Sequence, residues 1–166
     1  MRALSLALAA LLSASPAFAG DTAYYSVGVG YYDVISPDDS AADLRLEYRS
    51  NYDVLGTGIN PWIGVEVTSD ASVWGGFGFL YDWNIAPSFY ITPSVGAGLY
   101  GKGSSDKDLD HIIEFRSQLE GSYEFEDKSR LGLAFGHISN ASLGDKNPGV
   151  EILNLYYHVP TSALFE

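Results

Sequence analysis

The chain has 166 residues, no cysteine, 9 Lys+Arg against 21 Asp+Glu and a net charge of −12. So acidic a chain repels nucleic acid, and without thiols it forms neither disulfides nor CxxC zinc sites. Its 12 Tyr, 8 Phe, 3 Trp and 18 Gly, with no apolar run of about 18 residues past the N-terminus, exclude a membrane-spanning helix and point to β-structure.

Met1-Arg2, the apolar run Ala3 to Leu12 and the small-x-small site Ala17-Phe18-Ala19 have the layout of a secretory signal peptide. Residues 1–19 are therefore expected to be cleaved on export, and residues 20–166 to form one domain. Period-two alternation predicts eight strands: Ala23–Ile35, Ala42–Arg49, Ile59–Ser69, Ser72–Asn84, Pro87–Gly101, Asp110–Phe125, Ser129–Ser139 and Val150–Val159. The breaks between them carry turn residues, as in Ser36-Pro37-Asp38-Asp39 and Gly144-Asp145-Lys146-Asn147-Pro148-Gly149.

Each predicted strand has two faces. One is apolar: Tyr25, Val27, Val29 and Tyr31; Leu44, Leu46 and Tyr48; Ile113, Phe115 and Leu119; Leu131, Leu133 and Phe135; Leu153, Leu155 and Tyr157. The other mixes glycine with charge: Gly28 and Gly30; Asp43, Arg45, Glu47 and Arg49; Glu114, Arg116, Gln118 and Glu120; Asn154 and His158. A soluble lipid-binding barrel would turn the apolar face inward, whereas a membrane barrel turns it to lipid. Small residues suit a narrow lumen, and interior charges such as Arg45 with Glu47 or Glu114 can neutralise each other there. Aromatics near strand ends (Tyr25, Tyr31, Tyr48, Tyr81, Trp83, Tyr100, Tyr123, Tyr157) suit interface girdles. The expected fold is all-β: an eight-stranded antiparallel up-and-down transmembrane β-barrel in the bacterial outer membrane. With periplasmic termini, the connections 36–41, 70–71, 102–109 and 140–149 face the cell exterior.

Chemistry concentrates in Gly136-His137-Ile138-Ser139-Asn140-Ala141 and Asn147-Pro148-Gly149-Val150-Glu151. Ser139 and His137 continue the lipid-facing stripe of Phe135, and Glu151 shares the parity of Leu153 on the next strand. Hydroxyl, imidazole and carboxylate are thus expected on one outward patch, with the chemistry of a nucleophilic triad. Polar groups beside hydrocarbon are costly unless paired or used.

Gly-His-x-Ser-Asn-Ala followed by Asn-Pro-Gly-x-Glu resembles the lipid A 3-O-deacylase family of outer-membrane barrels. The resemblance implies hydrolysis of the 3-position ester of lipid A and release of a 3-hydroxy fatty acid. Carried over by position, it implies Ser139 as nucleophile, His137 as general base and Glu151 as orienting acid. Asn140 would serve the oxyanion hole, and Asn147 would support substrate or structure. Acyl chains would lie along Leu131, Leu133, Phe135, Leu153 and Leu155. The partner is membrane-borne lipopolysaccharide, and no cofactor or metal is called for.

Other candidates read as structural. His111 sits near a strand end, and His158, Glu114 and Glu120 belong to the lumen face. Gly28-Val29-Gly30 and Gly96-Ala97-Gly98 precede no helix and do not signal a nucleotide. The competing readings are a non-catalytic structural or adhesive barrel, which short loops disfavour, and a soluble periplasmic lipid binder.

Overall fold

A computed structural model describes residues 22–35 and 40–164. The expected signal peptide and most of the 36–41 connection lie outside the described residues. The elements are β1 (Tyr24–Tyr32), β2 (Ala41–Arg49), β3 (Ile59–Thr68), β4 (Val73–Tyr81), β5 (Trp83–Ala86), β6 (Phe89–Gly101), β7 (Ile113–Glu124), β8 (Arg130–Ser139) and β9 (Val150–Pro160). All pairings are antiparallel, in the order β4-β3-β2-β1-β9-β8-β7-β6-β5. The β4–β6 pairing closes the sheet on itself. Closure gives a hydrogen-bonded neighbour on both sides to every strand except the short β5, which pairs with β6 alone, as a wall facing hydrocarbon requires of its spanning strands.

The barrel has eight staves, because β4 and β5 are successive pieces of the fourth. The sequence predicts that stave as one strand, Ser72–Asn84. It breaks at Asp82, whose carboxylate turns inward to accept from Thr92 Oγ1 at 2.6 Å and Arg130 Nη1 at 2.8 Å. Predicted starts also shift. Pro87-Ser88 form a turn with Ser88 at φ 66°, so β6 begins at Phe89. Asp110, at φ 65°, belongs to a loop, and β7 begins at Ile113.

The apolar face points outward. Val29, Phe77, Val95, Leu119 and Leu133 are each more than half exposed, whereas Arg45 and Glu120 are buried in the lumen. That arrangement excludes the soluble barrel with an apolar interior. Seven of the eight expected girdle aromatics lie on the outward face: Tyr25, Tyr31, Tyr48, Tyr81, Trp83, Tyr123 and Tyr157. Tyr48 is covered by the Tyr25 ring, 5.3 Å away. Tyr100 is a correction, because its parity puts it inside, where it joins a buried cluster.

The lumen is filled in two zones. Its middle is an ion network centred on Glu47, which receives Arg116 Nη1 at 2.5 Å, Arg49 Nε at 3.1 Å and the Tyr156 hydroxyl at 3.1 Å. Arg49 also reaches Glu120 at 2.8 Å, and Glu120 meets His158 Nε2 at 2.9 Å. Arg45 bridges Glu66 and Asp43 instead of the expected Glu47 or Glu114. The cause is register: Arg45 lies directly across β3 from Glu66, while Glu47 faces Gly64 and is free to reach across the lumen.

Near the end that carries the 140–149 loop, the filling becomes apolar: Tyr32, Trp62, Trp74, Tyr100, Leu109, Ile138, Val150 and Ile152. Glycines on the facing staves make room for the indoles. A Cβ on Gly96 would come within 2.5 Å of Trp62, and one on Gly98 within 2.6 Å of Trp74. Their glycines are sockets for particular rings, a tighter demand than a narrow lumen alone.

Candidate active site

The site sits on the outer wall where β8 ends and β9 begins. The β8–β9 register sets His137 directly opposite Glu151. Their side chains meet, with His137 Nδ1 3.2 Å from Glu151 Oε1. A carboxylate only accepts, so Nδ1 carries the proton and donates it. That tautomer leaves Nε2 as the basic nitrogen. Ser139 lies two residues further along β8 on the same face, half-buried, and is paired across β7 with Phe115. Among the described residues neither the Ser139 hydroxyl nor His137 Nε2 has a hydrogen-bond partner. Such bonds are often long before substrate binds and tighten in the complex.

Gly149 decides where the imidazole can lie. A Cβ there would overlap His137 Cε1 and come within 2.9 Å of Nε2. The backbone at 149 thus forms a wall against the ring edge that carries the basic nitrogen. The motif quotes this glycine, but nothing in the sequence ties it to the histidine. Gly149→Ala is expected to push the half-exposed ring outward and lower kcat by about 10²-fold, as a displacement of about 1 Å can. The barrel should keep its heat-dependent gel mobility, and unchanged turnover would show that the wall is not needed.

Asn140 departs from its expected part. It is wholly buried and faces the lumen side, as its parity dictates. Both protons of its Nδ2 are spent, on Leu109 O at 2.8 Å and Lys146 O at 2.7 Å, and its Oδ1 accepts from the Ser142 N–H at 2.8 Å. A side-chain amide with every donor engaged has none for an oxyanion. What Asn140 does is hold the loop. Ala141 and Ser142 follow it at φ 52° and 65°, a sharp left-handed turn that costs energy without glycine. Asp110 adds a second tie by accepting from the Lys146 N–H at 2.7 Å. The loop that carries Gly149 is therefore clamped to the neighbouring 102–112 connection.

Asn147 is exposed on this loop. Leu131, Leu133, Phe135, Leu153 and Leu155 form an apolar outer surface running from the site toward the other end of the barrel. His111 accepts from the Ile113 N–H in a local turn. His158 and Glu120 are joined inside the lumen, and Glu114 is buried there, so none reaches the patch.

One more polar residue belongs to this patch. Ser117, on β7, is exposed on the outer wall and pairs directly with His137. The stripe Ile113, Phe115, Leu119 steps over it; strict counting by two would have found it.

This fold and patch have counterparts among known proteins. The sequence matches the lipid A 3-O-deacylase (PagL) family over residues 43–160. It is 26% identical over 161 residues to the lipid A deacylase PagL of Bordetella bronchiseptica, covering 93% of this chain and 90% of that one. Its fold resembles the crystal structure of the outer membrane enzyme PagL, with a TM-score of 0.63 at 19% identity, covering 82% of this chain and 99% of that one. Neisserial surface protein A shares the barrel at a TM-score of 0.56 and 11% identity, over 82% of this chain and 94% of that one. The match spans most of the barrel and both segments that build the patch, and the chain accordingly belongs to the lipid A 3-O-deacylase family of outer-membrane enzymes.

Proposed function

We propose that this protein cleaves the acyl ester at the 3-position of lipid A with a Ser139–His137–Glu151 triad on its outer wall. The observation that carries this reading is the pairing of His137 Nδ1 with Glu151 beside Ser139, on a wall whose strand positions are apolar or aromatic apart from these residues and Ser117. Family membership supplies the reaction class, ester hydrolysis on lipid A.

In this mechanism His137 Nε2 takes the Ser139 proton as Oγ attacks the ester carbonyl, and Glu151 stabilises the imidazolium. The tetrahedral intermediate collapses, the sugar hydroxyl leaves with the proton from His137, and the acyl group stays on Ser139. Water activated by His137 then releases the fatty acid. The oxyanion draws on donors other than the Asn140 side chain, which holds the loop in place, and Asn147, exposed on the same loop, supports substrate or structure. A donor aimed at that oxygen is worth about 10²–10³ in rate. Because Ile138, Val150 and Ile152 plug the lumen behind the triad, substrate arrives sideways, within the membrane plane. Its acyl chains then lie along Phe135, Leu133, Leu131, Leu153 and Leu155. The 140–149 end faces the outer leaflet, where lipid A resides, and residues 1–19 direct export.

The test is incubation of the folded protein with lipid A, followed by mass spectrometry. Loss of a single acyl mass from the 3-position is expected. A folded barrel that leaves every acyl chain in place would overturn the reading and favour a non-catalytic role.

A further inference from the structure

Across the outer wall, the strand positions that face lipid carry Val, Leu, Ile, Phe, Ala, Gly, Pro and girdle aromatics, with four exceptions: Ser117, His137, Ser139 and Glu151. These four lie together on three adjacent staves. Ser117, His137 and Glu151 form one transverse row, and Ser139 stands in the row above with Phe115. A hydroxyl placed at random on this surface would have no reason to sit against the histidine. Beside hydrocarbon an unused hydroxyl is also a cost.

Ser117 has no part in the triad. His137 is committed to Glu151 on its other flank, and the Ser117 hydroxyl makes no hydrogen bond among the described residues. From the geometry we infer that Ser117 is a specificity residue for the acyl chain, hydrogen-bonding a hydroxyl that the chain bears close to the scissile carbonyl. The inference rests on the proposed triad and extends it to the recognition of the acyl group.

Ser139 marks the carbonyl carbon. The apolar surface of Leu119, Phe135 and Leu153 begins two rows deeper along the barrel, about 13–14 Å down the strand. An acyl chain running from Ser139 onto that surface passes the row of Ser117 first. Directly paired strand positions hold their Cβ atoms about 5 Å apart, so the Ser117 hydroxyl flanks the path on the side away from Glu151. A group two bonds beyond the carbonyl is within its reach. The sugar lies on the other side of Ser139, above this row, so the partner of Ser117 belongs to the acyl chain. A hydroxyl there can donate to and accept from Ser117, and a plain methylene can do neither.

The test compares two substrates differing only at that carbon: glucosamine acylated at the 3-position with either a 3-hydroxyacyl or an unsubstituted acyl chain of equal length. The wild-type protein is expected to favour the 3-hydroxyacyl ester in kcat/KM. Ser117→Ala should erase about tenfold of that preference, the worth of one hydrogen bond of ordinary strength, mainly by slowing the hydroxylated substrate. Ser117→Thr, which keeps the hydroxyl and suits a strand, should restore it. A purely structural serine would change both rates alike and leave the ratio fixed, and that outcome would overturn the inference. Ser139→Ala is assayed alongside. If it loses both activities while Ser117→Ala leaves the ratio untouched, the triad stands and only the role of Ser117 falls. If it loses neither, the triad itself is wrong.

Discussion

Ser139→Ala is expected to reduce acyl release from lipid A by about 10⁴-fold or more, to the level that binding and oxyanion donors alone sustain. Stability should not change. Ser139 ends β8, is half-buried and has no side-chain hydrogen bond among the described residues, so its hydroxyl does nothing for the fold. His137→Ala should be as severe, because the hydroxyl is a weak nucleophile without a base. Glu151→Ala should hurt about a hundredfold less, since the carboxylate orients and stabilises but neither attacks nor carries the proton. The Nδ1 tautomer set by Glu151 is nonetheless needed for Nε2 to act. Single-turnover release of fatty acid, followed by mass spectrometry, distinguishes the three. An Ser139→Ala protein that keeps its rate would move the nucleophile elsewhere on the patch.

Glu47→Ala should be the most destabilising single change in the lumen, by about 3–5 kcal/mol. Its carboxylate answers Arg116, Arg49 and the Tyr156 hydroxyl together. Removal would leave Arg116 stacked on Trp62 at 3.9 Å with no carboxylate in contact among the described residues. It would leave Arg49 with Glu120 alone. An uncompensated charge inside a closed barrel has no water shell to return to, so the cost exceeds that of removing the whole cluster for apolar residues of equal volume. The denaturant midpoint, read from the gel-mobility difference between folded and unfolded barrel, should fall, and Glu47→Gln should fall less because it keeps an acceptor. An unchanged midpoint would mean the network contributes no net stability.

Much of the architecture was legible because an outer-membrane barrel writes its two faces into every second residue. Leu44, Arg45, Leu46 and Glu47 are enough to orient one stave, and the structure follows that parity around the wall. The same counting brought Ser139, His137 and Glu151 to one outward patch. Where it failed, the failures have separate causes. Tyr100 was assigned to a girdle by residue type, against its own parity. Asn140 was assigned by position in a motif, although an odd step from Ser139 turns it inward. The break at Asp82 depends on Thr92 and Arg130, which are far away in sequence.

Alternation is local physics: each side chain faces oil or lumen by its own chemistry, so the sequence alone determined the all-β barrel, its outward apolar wall and the strands that bear the site. Contacts across staves are set by register, which no single strand encodes. Only the tertiary structure decided that His137 lies opposite Glu151 and Ser117, that Gly149 abuts the imidazole, and that Asn140 spends both amide protons on the loop. Those relations arise from the register in which β7, β8 and β9 pair within the closed sheet.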